Sequence, residues 1–148
     1  MEHGDEWKIV WSPRGDRLAY TVLDDHRVRI ARASGGPLPD VRAPFSGSGP
    51  TWSPSGSRLA FTKWGVNAVY VARAGGRGRR WLSAGLSPLW SPNGRWIAFQ
   101  QGDRCAQLYV IRPTGRGRHA VTHEPCGANY DRVVWSADSA RLTYLLRR

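Results

Sequence analysis

An all-β fold made of repeated four-stranded units is expected for this chain, on three observations. A motif returns four times: Trp52-Ser53-Pro54-Ser55-Gly56-Ser57-Arg58-Leu59-Ala60-Phe61-Thr62 has counterparts that begin at Trp11, Trp90 and Trp135. The four Trp lie 41, 38 and 45 residues apart, a period that suits four-stranded propeller blades. Between the motifs, short apolar runs alternate with Gly-rich and Pro-rich turns, as strands joined by tight connections require. The expected architecture is a β-propeller of three complete repeats and the first two strands of a fourth, an incomplete or open ring. It forms one segment over residues 1–148, with units at about 7–45, 50–83, 87–122 and 131–148.

Each element follows from its residues. The Trp ends the first strand of its unit, because Ser-Pro-x-Gly behind it is a turn. Pro sets φ at one central position, and Gly supplies the left-handed residue that closes the hairpin. The second strand begins at the Arg, Leu or Trp that follows and runs through Leu-Ala-Phe or its equivalent. A polar loop leads to the third strand, Val28 to Arg32, Val69 to Arg73 and Leu108 to Arg112, each an apolar run ending in Arg. Gly turns follow at Gly35-Gly36, Gly75-Gly76 and Gly115-Arg116-Gly117, then a short fourth strand, clearest at Arg80 to Ser83 and His119 to Thr122. Neighbouring apolar residues, as in Leu59-Ala60-Phe61 and Tyr109-Val110-Ile111, indicate strands covered on both faces, as in radially stacked sheets. Trp11, Trp52, Trp90 and Trp135 are therefore expected to dominate the core, each burying up to roughly 4–6 kcal/mol of apolar surface.

The run Trp-Ser-Pro-x-Gly-x-x-Leu/Ile-Ala-Phe, followed by Tyr-Val and a Gly turn, resembles the WD40-like repeat of TolB-type β-propellers, over essentially the whole chain. Similar repeats occur in propeller domains of prolyl-oligopeptidase-type serine peptidases, in tricorn-type proteases and in some pectin-degrading lyases. The resemblance implies a non-catalytic scaffold for protein–protein interaction, with a protein partner and an extracytoplasmic setting, periplasmic or secreted. The alternatives are the non-catalytic propeller portion of a prolyl-oligopeptidase-type peptidase, or a lyase-type propeller that binds acidic sugars. The chain departs from the family pattern where Asp usually stands between Pro and Gly: it has Arg14, Ser55 and Asn93 there. The last copy keeps Asp138 but has Ala137 and Ser139 in place of Pro and Gly. The first unit also carries Arg29 where the next two have Tyr70 and Tyr109.

At 148 residues the chain can bury a sizeable core, yet a ring takes about four to eight blades. A portion of a longer chain is the first expectation, with self-association through open blade edges and an open array as the others. The net charge is +11, carried by 20 Arg and 2 Lys against 11 acidic residues. Such an excess can serve nucleic acid or anionic membranes, but nucleic acid is not the expected partner, because a preference for Arg over Lys accounts for it. Strand alternation places Arg14, Arg77, Arg79, Arg116 and Arg118 on one mouth of the ring, with Arg80 and Arg95 beside them. Asp24, Asp25, Asp103 and Glu124 fall on the other. No run of ~18–20 apolar residues predicts a membrane span. Met1 to Glu6 is acidic and without an apolar core, so no signal peptide is read in this chain. The residues alone leave a cytoplasmic setting open beside the extracytoplasmic one.

No catalytic residue, cofactor or metal is expected. The Gly-x-Ser-x-Gly elbow of hydrolases is absent, and Gly47-Ser48-Gly49-Pro50 reads as a flexible connection between blades. The Gly turns open no helix and cradle no phosphate. His119, His123, Cys105 and Cys126 are metal-ligating types whose spacing offers only a weak signal. Cys105 and Cys126 fall in loops that open on the same face of the third unit, so a disulfide and an oxidising compartment are one reading; two free thiols in a cytosolic protein are the other. Partner-binding residues are sought where the units differ. Trp64 comes first, an aromatic in the loop after a second strand, since rim aromatics anchor partners or pack on the next blade. Asp24, Asp25, His26, Arg104 and Tyr130 are expected on the same mouth.

Overall fold

A computed structural model describes residues 9–22, 24–35, 45–127 and 129–147. The start of the chain through Lys8, Gly36 of the first Gly turn and the connection up to Pro44 lie outside these residues. The strands are β1 (Val10–Trp11), β2 (Arg17–Val22), β3 (Arg27–Arg32), β4 (Phe45–Ser46), β5 (Ser48–Trp52), β6 (Arg58–Lys63), β7 (Ala68–Arg73), β8 (Arg80–Ala84), β9 (Leu86–Trp90), β10 (Ile97–Gln101), β11 (Gln107–Ile111), β12 (His119–Ala120), β13 (Asn129–Trp135) and β14 (Leu142–Arg147). Pairing is antiparallel and follows chain order, giving the four-stranded sheets β1–β4, β5–β8 and β9–β12 and the two-stranded sheet β13–β14. The described residues contain no helix. The fold is thus all-β, a stack of propeller blades.

The Ser of the repeated motif explains its own recurrence. The backbone N–H of Ser12, Ser53, Ser91 and Ser136 donates to the carbonyl five residues on, at 2.8–2.9 Å. The hydroxyl of the same Ser accepts the N–H of that residue, Arg17, Arg58, Trp96 or Arg141, at 2.9–3.1 Å. One residue therefore closes each hairpin turn with both its backbone and its side chain. In the last copy Ser139 keeps the left-handed conformation of the glycines it replaces, with φ of 61°, and its hydroxyl accepts the Asn93 N–H from the neighbouring turn at 3.0 Å. The turn survives because only the backbone conformation, and not Gly itself, is required.

Blades pack face to face with a fixed division of labour. Register places Trp52, Leu59 and Ala72 side by side on one face of the second blade, and Thr51, Ala60 and Val71 on the other. The first face, with Phe61, meets Ala19, Val28 and Ile30 of the first blade. Its counterpart on the third blade, Trp90, Ile97 and Phe99, meets Ala60, Val69, Val71 and Leu82. A bulky face thus enters a smaller, largely β-branched one at these two joints. The indole Nε1 of Trp52 donates to Val10 O at 3.2 Å and that of Trp135 to Leu89 O at 3.1 Å; that of Trp90 is buried without a partner. Covered strands such as β6 are buried at four consecutive residues, whereas β14 alternates half-buried with exposed.

Two expectations need correction. Trp52 and Trp90 are core residues at 7% exposure, but Trp11 is 57% exposed, because no described strand covers its face of the first blade. Gly47 to Pro50 is no loose link either. Gly47 is buried against Phe61 and Thr62, and Ser48 to Pro50 already belong to β5.

Candidate functional site: the rim of the second-strand loops

The meander puts the loops after β2, β6 and β10 on one rim, because successive antiparallel strands return the chain to the same side at every second connection. These loops are short, and the first two turn through left-handed residues, His26 at φ 50° and Asn67 at φ 44°. His26 and Trp64 come together there. Their rings stack at 3.8 Å between centroids and 7° between planes, across the joint between first and second blades. Trp64 nevertheless remains 43% exposed, and Val66 on the same loop stands out further. The result is an apolar shelf built on two loops and held flat by stacking.

Charge around the shelf is partly settled internally. Asp25 Oδ2 accepts a hydrogen bond from the Arg29 guanidinium at 2.6 Å. That bond, with the cation's field, holds the Asp25 carboxyl below its usual range and raises Arg29 in turn. Arg29 therefore has a job of its own where the other blades have Tyr70 and Tyr109, which lie against Phe61 and Phe99. Asp24 is exposed beside this pair. Arg104 is exposed on the loop of the third blade, and among the described residues no hydrogen bond or ion pair joins it to the His26–Trp64 shelf.

Tyr130 does not belong to the rim surface. It lies on β13, 7% exposed, in a core with Ala106 and Leu108. The strand starts at Asn129, earlier than its sequence indicates, and turns this ring inward. Its hydroxyl is 2.6 Å from Thr122 Oγ1 and donates to Gln107 Oε1 at 3.2 Å. Gln107 also receives the Glu124 N–H at 2.9 Å and gives Nε2–H to Glu124 O at 2.7 Å. Tyr144 donates to the Glu124 carboxylate at 3.0 Å, which raises the phenol above its ordinary range. This network ties β13 and β14 to the third blade. Gln107 and Thr122 gave no sequence signal, since neither recurs between units.

Cys105 and Cys126 are bonded, 21 residues apart, with Cα atoms 4.0 Å from each other. The Gly127 N–H donates to Arg104 O at 2.7 Å beside the bridge. Closing a loop of this length is worth about 3 kcal/mol in the chain-entropy model. Reductant is accordingly expected to lower the urea midpoint of unfolding by that equivalent; an unchanged midpoint, with both thiols shown free by alkylation, refutes the role. His119 is engaged elsewhere, with Nδ1 2.9 Å from Gly117 O and its ring edge-on to Trp96. Among the described residues no three His, Cys, Asp or Glu side chains gather as metal ligands, and no helix is long and apolar enough to cross a membrane.

The opposite rim, carrying the turns after first and third strands, holds exposed Arg14, Arg77, Arg79, Arg80, Arg95 and Arg116; Arg118, expected with them, instead lays its guanidinium over Tyr109, 4.2 Å from the ring centroid, and donates to Gln101 Oε1 at the end of β10. Its acids Asp16 and Asp138 accept hydrogen bonds from Ser12 and Ser136, which lower both carboxyls.

No protein-family model matches this chain, and no curated protein matches it. Solved structures do. A chain of the Nidogen/Laminin complex superposes with a TM-score of 0.75 at 16% identity, covering 93% of this chain and 55% of that one. TolB from Acinetobacter baumannii gives 0.74 at 20% identity, covering 95% and 37%. Hydrazine synthase of Kuenenia stuttgartiensis gives 0.68 at 17%, covering 93% and 42%. The chain spans less than two thirds of the length of each. Such identities establish a shared TolB-like propeller fold, and the diversity of these three proteins shows how little that fold dictates activity.

Proposed function

We propose that the chain is a non-catalytic β-propeller scaffold that holds a protein partner on the His26–Trp64 rim. The observation that carries this reading is the stacked pair itself: an indole left 43% exposed yet immobilised by a ring at 3.8 Å. A rigid aromatic at a surface loses little conformational freedom on binding, which is why such residues anchor interfaces. Val66 extends the apolar area, and Asp24 supplies an exposed charge at its edge. The disulfide supports an extracytoplasmic setting, where such bonds persist, and one structural neighbour was solved within a complex between proteins.

The arginine-lined opposite rim favours a second reading, an acidic saccharide bound as in lyase-type propellers. One experiment separates the two. Immobilised chain is compared with Trp64→Ala for proteins retained from an envelope extract, and with Arg77→Ala/Arg79→Ala for retention of polygalacturonate. The scaffold reading expects Trp64→Ala to weaken a retained protein roughly 30-fold, as for a hot-spot aromatic. Identical protein retention by both chains overturns it, and saccharide retention lost only in the Arg variant transfers the function to the other rim.

A further inference from the structure

The net positive charge is not spread evenly along the chain. From Val41 to Gly102 the sequence holds eight Arg and Lys and no Asp or Glu, so the second blade has no acid of its own to neutralise it. Two turns gather the excess. Arg73-Ala74-Gly75-Gly76-Arg77-Gly78-Arg79 closes β7, and Arg112-Pro113-Thr114-Gly115-Arg116-Gly117-Arg118 follows β11. Their backbones match. The first N–H of each turn donates to the carbonyl of Arg77 or Arg116, at 3.0 and 2.9 Å, and φ is 85° and 84° at Gly76 and Gly115, 66° and 69° at Gly78 and Gly117. Arg77 and Arg116 therefore leave equivalent corners of neighbouring blades. The turns also meet, since Arg80 Nη1 donates to Thr114 O at 3.2 Å across the joint.

Within these turns the structure separates arginines in use from arginines left over. Arg112 lies over Trp96, 5.2 Å from the ring centroid, and Arg118 lies over Tyr109. Arg77, Arg79 and Arg116 are exposed, and the ion pairs of the described residues, at Asp16, Asp25 and Asp131, reach none of them. Cations held close on rigid turns without a counter-charge repel one another, and an external anion removes that repulsion.

We infer that Arg77, Arg79 and Arg116 form one clamp, across the joint of the second and third blades, for a stiff carboxylate-bearing polysaccharide. The inference rests on the second reading above, that the arginine rim takes an acidic saccharide, and adds where on that rim the chain lies. A guanidinium fork matches a carboxylate with two parallel hydrogen bonds. Packed sheets stand about 10 Å apart, so the ligand carries repeated charges over that span, which a single small anion does not. A flat anionic bilayer laid on this rim would also meet exposed Asp16 on the first blade and Asp138 on the last sheet; a narrow chain along the joint avoids both. An acidic peptide loses backbone freedom at every residue it orders, by more than an exposed ion pair returns, whereas a chain of pyranose rings arrives already stiff. The Cys105–Cys126 bond suits an oxidising compartment, which favours a glycan over nucleic acid.

The test measures binding of polygalacturonate to the full chain by calorimetry at several salt concentrations. The variants are Arg79→Ala, Arg116→Ala and their double, with Arg14→Ala as control. These positions are exposed, so every variant is expected to keep the circular dichroism of the parent. Each clamp variant is expected to bind roughly 5-fold more weakly and the double roughly 30-fold. The slope of log affinity against log salt is expected to shrink by about one for each arginine removed. Arg14→Ala, on the first blade, is expected to match the parent. A loss confined to Arg79→Ala overturns the clamp and leaves the saccharide reading standing, whereas a parent that binds no polygalacturonate overturns both. An equal loss in Arg14→Ala means bulk charge and overturns the clamp. Tighter binding, at equal salt, of single-stranded DNA or of vesicles of phosphatidylserine in phosphatidylcholine overturns the choice of a polysaccharide.

Discussion

Trp90→Ala is expected to destabilise the chain by about 3–5 kcal/mol, the range for deleting a buried aromatic. The side chain is closed in by Ala60, Val69, Val71 and Leu82 of the second blade and by Ile97, Phe99 and Ile111 of its own. The void falls at a joint between two rigid sheets, which relax little to fill it. Against typical stabilities of ~5–15 kcal/mol the loss is severe. Urea unfolding followed by circular dichroism measures it, and a change under about 1 kcal/mol rejects the view that this Trp bridges the blades. Two controls sharpen the reading. Trp11→Ala removes the same motif residue from a face that no described strand covers and is expected to cost under about 1 kcal/mol. Trp90→Phe breaks no hydrogen bond, since its Nε1 has none, whereas Trp52→Phe also forfeits the bond to Val10.

Gly85→Ala is expected to cost about 3 kcal/mol, through overpacking added to backbone strain. Gly85 joins β8 to β9 at φ 144°, a conformation that side chains with a Cβ rarely adopt. A Cβ there would stand 2.5 Å from Phe99 Cδ2 and 2.7 Å from Gln100 O. Phe99 is fully buried and the carbonyl is backbone, so neither can yield cheaply. The equivalent link before β5 uses Gly47 against Phe61 and Thr62 in the same way. Gly75→Ala, with open space around it, is the control. Thermal unfolding of the two variants measures the contrast, and equal melting temperatures would falsify the account of a wedged connection.

The reach of sequence reasoning is clearest at individual residues. Trp-Ser-Pro-x-Gly announced its hairpin because the turn is local: Pro and Gly act on their own φ, and the Ser hydroxyl reaches only five residues on. Gly47 and Gly85 were not legible as wedges, since their constraint comes from a Phe on a neighbouring strand. At the rim, Trp64 stood out as an aromatic in the loop after a second strand, but its partner His26 lies 38 residues away and on another blade. Tyr130 was misplaced for the converse reason. A ring next to a loop reads as exposed until the onset of β13 turns it toward Thr122 and Gln107.

Strand order, repeat period and the placement of Arg on one rim follow from short-range chemistry and alternation, so they can be read along the chain. Burial depends on which sheet covers which, and that is a relation between blades. Trp11 and Trp52 occupy the same motif position, yet one is 57% exposed and the other 7%, because among the described residues a sheet stacks on only one of them. The same holds for the stacked His26–Trp64 shelf and the Tyr130 network: each is assembled across a joint, where the energy of contact belongs to pairs of residues that no local pattern connects.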